Sequence, residues 1–173
     1  MSIGFIRDKL EIKFLILYVT SGVAEPMPLS DVQALTMIDD GIDYFDFSQC
    51  LNELVQTGHL RLDEQQRYAV TQKGLKNSAI CKSDLPYSVR LKADKLIEGY
   101  RQELTRRERV QATAEPRENG TYTVSLRLSD EVDSLMQLQI MVATREQAND
   151  LVRRFEKDPE KIYAKLIDAL YRE

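Results

Sequence analysis

Between Asp43 and Val70 the spacing of apolar residues changes once, and this change limits what the chain can fold into more than any other feature of it. Phe47, Cys50, Leu51 and Leu54 stand at i, i+3, i+4 and i+7, which predicts an amphipathic helix from Tyr44 to Gln56 with Asp43 as its N-cap. Gly58 follows at the left-handed position past a helix end, which residues with a side chain avoid. Leu60 and Leu62 then alternate with Arg61, the polar run Asp63 to Arg67 intervenes, and Tyr68-Ala69-Val70 resumes, so a β-hairpin is expected. Two helices are predicted upstream. The first lies between Asp8 and Val19, with Leu10, Phe14, Leu17 and Tyr18 on one face, and is stopped by Gly22 and Pro26. The second starts after Pro28, with Ser30 as N-cap, Asp31 in its first turn and Val32, Leu35 and Ile38 inward; Asp39-Asp40-Gly41 ends it.

Helix, short helix, helix and hairpin is the order of a helix-turn-helix followed by a wing. Leu51, Leu54, Gly58, Leu60, Tyr68, Val70, Thr71 and Gly74 form the run L-x-x-L-x-x-x-G-x-L … Y-x-V-T-x-x-G, which resembles winged-helix transcription regulators of the PadR and MarR type. The blocks Asp40-Gly41-Ile42-Asp43-Tyr44-Phe45-Asp46-Phe47 and Leu85-Pro86-Tyr87-Ser88-Val89-Arg90 extend a second resemblance over nearly the whole chain, to a bacterial domain-of-unknown-function family, number four-three-six-four. That resemblance implies an N-terminal winged helix and brings no established activity.

Beyond the hairpin, Asp84 and Pro86 open a longer helix whose stripe Val89, Ala93, Leu96, Ile97, Tyr100 and Leu104 runs to about Arg109. Its length of roughly 36 Å at 1.5 Å per residue exceeds what a wing-sized domain needs, and makes it a candidate dimer seam. A strand over Val110 to Glu115, a two-residue Asn119-Gly120 turn, a strand alternating Tyr122, Val124, Leu126 and Leu128 inward, and a third strand from Leu135 to Val142 predict an antiparallel sheet. Thr144 and Gln147 read as a capping box for a helix carrying Ala148, Leu151, Val152 and Phe155. Asp158 and Pro159 start the last helix, with Ile162, Tyr163, Leu166, Ile167 and Leu170 inward. The expected fold class is α+β: a winged helix-turn-helix domain over 1–83, a linker and dimerisation helix over 84–110, and over 111–173 a three-stranded antiparallel sheet with two helices.

Composition narrows the function classes. With 173 residues, 43% hydrophobic and 30% charged, the chain can bury a core and is not low-complexity. The longest apolar run, Phe14 to Val19, is far short of the roughly 20 residues that cross a bilayer, and Asp8 and Glu11 interrupt any signal-peptide core, so a cytoplasmic protein is expected. Cys50 and Cys81 with the lone His59 supply neither a disulfide framework nor a zinc site. His59, just past Gly58, reads as structural, and Asp39, Asp40, Asp43 and Asp46 read as turn and capping groups, because their spacing lacks the alternate oxygens and distal Glu of a calcium loop. Asn119-Gly120-Thr121 reads as a turn and not as a glycosylation site. No phosphate-binding or nucleophile motif occurs, and no catalytic residue, metal or cofactor is expected.

The remaining candidate chemistry is recognition of duplex DNA. The predicted outer face of the third helix carries Tyr44, Ser48, Gln49 and Asn52, and the two carboxamides have the geometry that pairs bidentately with adenine. Arg61 and Arg67 of the hairpin, with Lys73 and Lys76 just after it, are the expected phosphate contacts. Against this stands the segment Pro28 to Leu60, which carries six acids and no Lys or Arg within a net charge of −4 for the chain. The expected function is a dimeric transcriptional regulator whose C-terminal domain senses an effector or completes the homodimer. The alternative is a winged module that binds no DNA and meets a basic protein partner with its acidic helix.

Overall fold

The computed structural model describes residues 5–6 and 8–172. The chain divides into two units, Met1–Gln102 and Glu103–Glu173, and the division falls inside one helix, α5 (Tyr87–Arg109). The class is α+β.

In the first unit, α1 (Lys9–Val23), α2 (Leu29–Thr36) and α3 (Tyr44–Gln56) precede a hairpin of β1 (Leu60–Leu62) and β2 (Tyr68–Val70), followed by α4 (Gln72–Cys81). Asp8 caps α1 through Glu11 N–H and Asp43 caps α3 through Asp46 N–H, so both starts follow from an acid three residues ahead of an orphan donor. The face α1 buries is Ile12, Leu15, Ile16, Val19, Thr20 and Val23. The predicted stripe is rotated from it: Leu17 is buried, Phe14 and Tyr18 are half-buried, and Leu10 is exposed. Gly22 does not stop the helix. It lies within α1, and the space a side chain would take there is filled by Ile97 of α5. In α2 the N-cap is Pro28 and not Ser30, whose hydroxyl donates to Asp31 Oδ1; the helix ends at Thr36, leaving Ile38 half-buried beyond it.

The hairpin closes with three loop residues: Gln66 N–H donates to Asp63 O at 3.0 Å, Asp63 N–H to Arg67 O at 2.9 Å, and Gln66 takes φ 59°. Met27 exchanges two backbone hydrogen bonds with Tyr68, at 2.9 and 2.7 Å, and so ties the α1–α2 connection to β2. Helix α4 was not foreseen from periodicity. Thr71 caps it through Gly74 N–H, and residue 74 must be glycine because a Cβ there would lie 2.2 Å from the His59 carbonyl oxygen. Part of the stripe on α5 is used inside the first unit: Val89, Ala93 and Ile97 are buried and Tyr100 donates to Asp31 Oδ2 at 2.7 Å, while Leu96 is exposed and Leu104 belongs to the second unit.

The second unit contains β3 (Val110–Pro116), β4 (Tyr122–Ser129) and β5 (Ser134–Val142) in the antiparallel order β3-β4-β5, with α6 (Arg145–Lys157) and α7 (Pro159–Tyr171). Val124, Leu126, Leu128, Met136, Ala148 and Phe155 form its core, joined by Ile162, Tyr163 and Leu166 of α7. The Asn119-Gly120 pair is not a two-residue turn. Gly120 N–H donates to Arg117 O at 3.0 Å and only Gly120 has positive φ, so the loop has three residues, a type I turn closed by a left-handed glycine. The capping box of Thr144 and Gln147 is formed in both directions. Ile167 and Leu170, expected inward, are exposed, because the stripe of α7 outruns the core it meets.

Candidate nucleic-acid interface

The candidate surface is the outer side of α3, and its chemistry is set by α1. With Phe47, Cys50, Leu51 and Leu54 buried, α3 exposes Tyr44, Phe45, Gln49, Asn52 and Gln56, and leaves Ser48 half-buried. Asp46, Gln49 and Glu53 line the flank toward α1. Lys9 Nζ meets Asp46 Oδ1 at 3.0 Å and donates to Gln49 Oε1 at 2.6 Å. Lys13 Nζ meets Glu53 Oε2 at 2.5 Å, and Gln49 Nε2 donates to Glu53 Oε1 at 2.8 Å. The hydrogen bond that Lys9 donates to Asp46 raises the pKa of Lys9, and those that Glu53 accepts from Lys13 and Gln49 lower that of Glu53, so the charged forms of Lys9 and Glu53 are favoured. Two of the six acids between Pro28 and Leu60 are thereby neutralised by lysines from another helix. A third, Asp39, is buried and accepts from the N–H groups of Phe5, Ile6 and Gly41 at 3.0–3.1 Å.

The eight residues singled out from sequence therefore fall into two sets. Tyr44, Ser48 and Asn52 lie on the uncovered side of α3, and Arg61 and Lys76 are exposed with no ion-pair partner among the described residues. The other three are engaged within the unit. Both ends of the Gln49 carboxamide are occupied, as above. Arg67 Nε bonds Asp63 Oδ2 at 2.8 Å across the hairpin loop, where Arg67 N–H also donates to Asp63 Oδ1. Lys73 Nζ donates to Thr57 O at 2.7 Å, placing a cation at the carbonyl end of α3 where the helix dipole favours it.

His59 belongs to the same joint. Its Nε2 accepts from Asn77 Nδ2 at 2.6 Å and its Nδ1 meets Thr57 Oγ1 at 2.8 Å, while the Thr57 hydroxyl donates to Glu53 O at 2.7 Å. Burial, then the nearby Lys73 and Lys13 charges, push its pKa below the ordinary value of 6.5 and keep the ring neutral. The ring thus locks α4 to the end of α3. Among the described residues no group of three or more His, Cys, Asp or Glu side chains is placed to hold a metal ion, and no helix is long and apolar enough to cross a membrane.

Sequence reading missed Lys9 and Lys13. The signal that could have found them is the acid excess itself, since a helix with Asp46 and Glu53 on one flank and no cation nearby in sequence needs cations from elsewhere.

The architecture of the described residues is that of an α+β chain in which three helices, a hairpin, a fourth helix and the long helix α5 are followed by a three-stranded sheet with two helices. The chain belongs to the family described as Domain of unknown function (DUF4364), whose profile matches residues 12–170. No curated protein and no solved structure matches it.

Proposed function

We propose that this chain is a winged-helix transcription regulator that grips duplex DNA with the uncovered side of α3 and with the β1–β2 hairpin as its wing, two copies addressing two half-sites. One observation carries the reading: Asn52 is exposed and has no side-chain partner among the described residues, with Ser48 and Gln56 a turn to either side, while two acids on the adjoining flank, Asp46 and Glu53, are held by Lys9 and Lys13. A free carboxamide on an exposed helix face is the group that pairs bidentately with adenine in the major groove. Arg61 and Lys76 supply phosphate contacts, and counterion release from these sites makes the affinity salt-dependent. Because the free cations are few, two linked half-sites are needed for useful affinity.

The test is selection of bound duplexes from a random pool, followed by titration at several salt concentrations. Arg61→Ala with Lys76→Ala should weaken binding on every sequence and flatten the slope of log K against log salt by roughly two. Arg67→Ala should do less, because its guanidinium is already spent on Asp63. Asn52→Ala should relax preference at one base position by about 1–3 kcal/mol. A chain that retains no duplex at low salt ends the reading.

The second reading, a winged module that docks on a protein and ignores DNA, is favoured by Phe45, which is 85% exposed beside Tyr44 at the start of α3. On that reading Phe45→Ala abolishes partner binding, whereas Arg61→Ala leaves it intact.

A further inference from the structure

We infer that β5 is the seam of a homodimer, pairing antiparallel with β5 of a second copy about a two-fold axis at Leu138, so that two three-stranded sheets become one of six. The inference is independent of DNA binding and rests on the second unit alone.

Natural sheets protect their edges with charge, proline or bulges, because an open edge is a row of unpaired backbone donors and acceptors. The two edges here are treated differently. β3 carries Glu115 and ends on Pro116. Among the described residues β5 pairs only with β4, and its nine residues Ser134–Val142 include no charged side chain and no proline. A bulge displaces its first residues, at the Leu128/Ser129 step of β4, and from Met136 to Val142 the pairing is regular. An edge this long and uncharged is one built to be paired.

The order of side chains along the strand identifies the occupant. Reflected through Leu138, Met136 falls opposite Ile140, Gln137 opposite Gln139, and Leu135 opposite Met141. The first pair and Leu138 lie on the core side, where Leu138, Ile140 and Val142 are only half-buried and have surface left to cover. Gln137, Gln139 and Met141 lie on the face bearing Gln111, Thr113, Ser125 and Arg127, where Met141 is 59% exposed, and Leu135, which the bulge leaves unpaired, is 42% exposed. Across the proposed axis each finds the other. Moving the axis to Gln137 sets Leu135 against Gln139, and moving it to Gln139 sets Gln137 against Met141, whereas about Leu138 the one polarity mismatch is confined to the strand ends, Ser134 against Val142.

Charge complementarity agrees with this arrangement. Antiparallel pairing brings the acidic turn Asp130, Glu131 and Asp133, ahead of β5, toward the partner's residues after β5, where Arg145 has no ion-pair partner among the described residues. Arg145 is also the first residue of α6, where its own helix dipole opposes a cation, and a partner's carboxylate relieves that.

The experiment is light scattering on the full chain with two double variants, each checked for wild-type circular dichroism. Wild type should give about 40 kDa, twice the chain mass of 20.0 kDa. Gln137→Lys with Gln139→Lys puts lysine opposite lysine at both positions and should give about 20 kDa, the single-chain mass. Gln137→Lys with Gln139→Glu puts opposite charges together only in the Leu138 register and should restore the doubled mass. As a check that survives a misfolded variant, and with the half-buried thiol of Cys81 removed by Cys81→Ser in every sample, Gln137→Cys mixed with Gln139→Cys should cross-link on oxidation, whereas either alone should not. A single-chain mass for wild type, a doubled mass for the lysine pair, a single-chain mass for the Lys/Glu pair, or cross-linking of either cysteine variant alone overturns the inference.

Discussion

Asp39 fixes the connection into α3 by accepting three backbone N–H groups, those of Phe5, Ile6 and Gly41. Burial raises its pKa, but the three donors outweigh this and hold it below the ordinary value of 3.8. A carboxylate depressed in this way stabilises the fold above its unfolded pKa, and that stabilisation is lost as pH falls through the folded value. Asp39→Asn should therefore cost roughly 2 kcal/mol at neutral pH, and its denaturation midpoint should fall less steeply than wild type between about pH 5 and pH 3. Gln66 stands in the left-handed region at φ 59°, where a side chain costs about 1 kcal/mol, so Gln66→Gly should raise stability by about that amount in urea titration. The turn role of Asp39 and the capping role of Asp43 were legible from residue type and position. The strain at Gln66 was not, because Asp63-Glu64-Gln65-Gln66-Arg67 contains no glycine to mark the left-handed position.

Where a helix carries its own start signal, it can be placed from sequence. Thr144 and Gln147 exchange hydrogen bonds around the first turn of α6, and Thr144→Ala should cost about 1 kcal/mol, measured as a lowered thermal midpoint with spectra unchanged. The phase of α1 was not legible in the same way. Its middle, Phe14 to Val19, is apolar on every side, so periodicity allows more than one buried face, and packing selects the one containing Ile12, Leu15 and Ile16. Helix α4 was missed because its stripe is weak and its stability is tertiary: Gly74 lies on the His59 carbonyl, Lys73 bonds Thr57 and Asn77 bonds His59. On α3 the carboxamides Gln49 and Asn52 are equivalent in sequence. Lys9 from α1 and Glu53 one turn on occupy the two ends of Gln49, whereas Asn52 has no side-chain partner among the described residues.

For the whole molecule, the two units predict separable stability. The core around Val124, Leu126 and Phe155 is drawn from the second unit alone, so Phe155→Ala should cost about 3–5 kcal/mol there. Hydrogen exchange should then show protection lost across β3, β4 and β5 and kept in α1 and α3; loss everywhere would mean that the units unfold as one. The sequence by itself determined the order of elements apart from α4, the α+β class, the hairpin after Gly58 and the capped starts of α3 and α6, because these depend on neighbours within a turn or a strand. Tertiary structure alone decided which face α1 buries, that α5 buries Val89, Ala93 and Ile97 within the first unit, and that Lys13 answers Glu53 across 40 positions of chain. Such pairings depend on how helices are placed in space, and a local period carries no record of that.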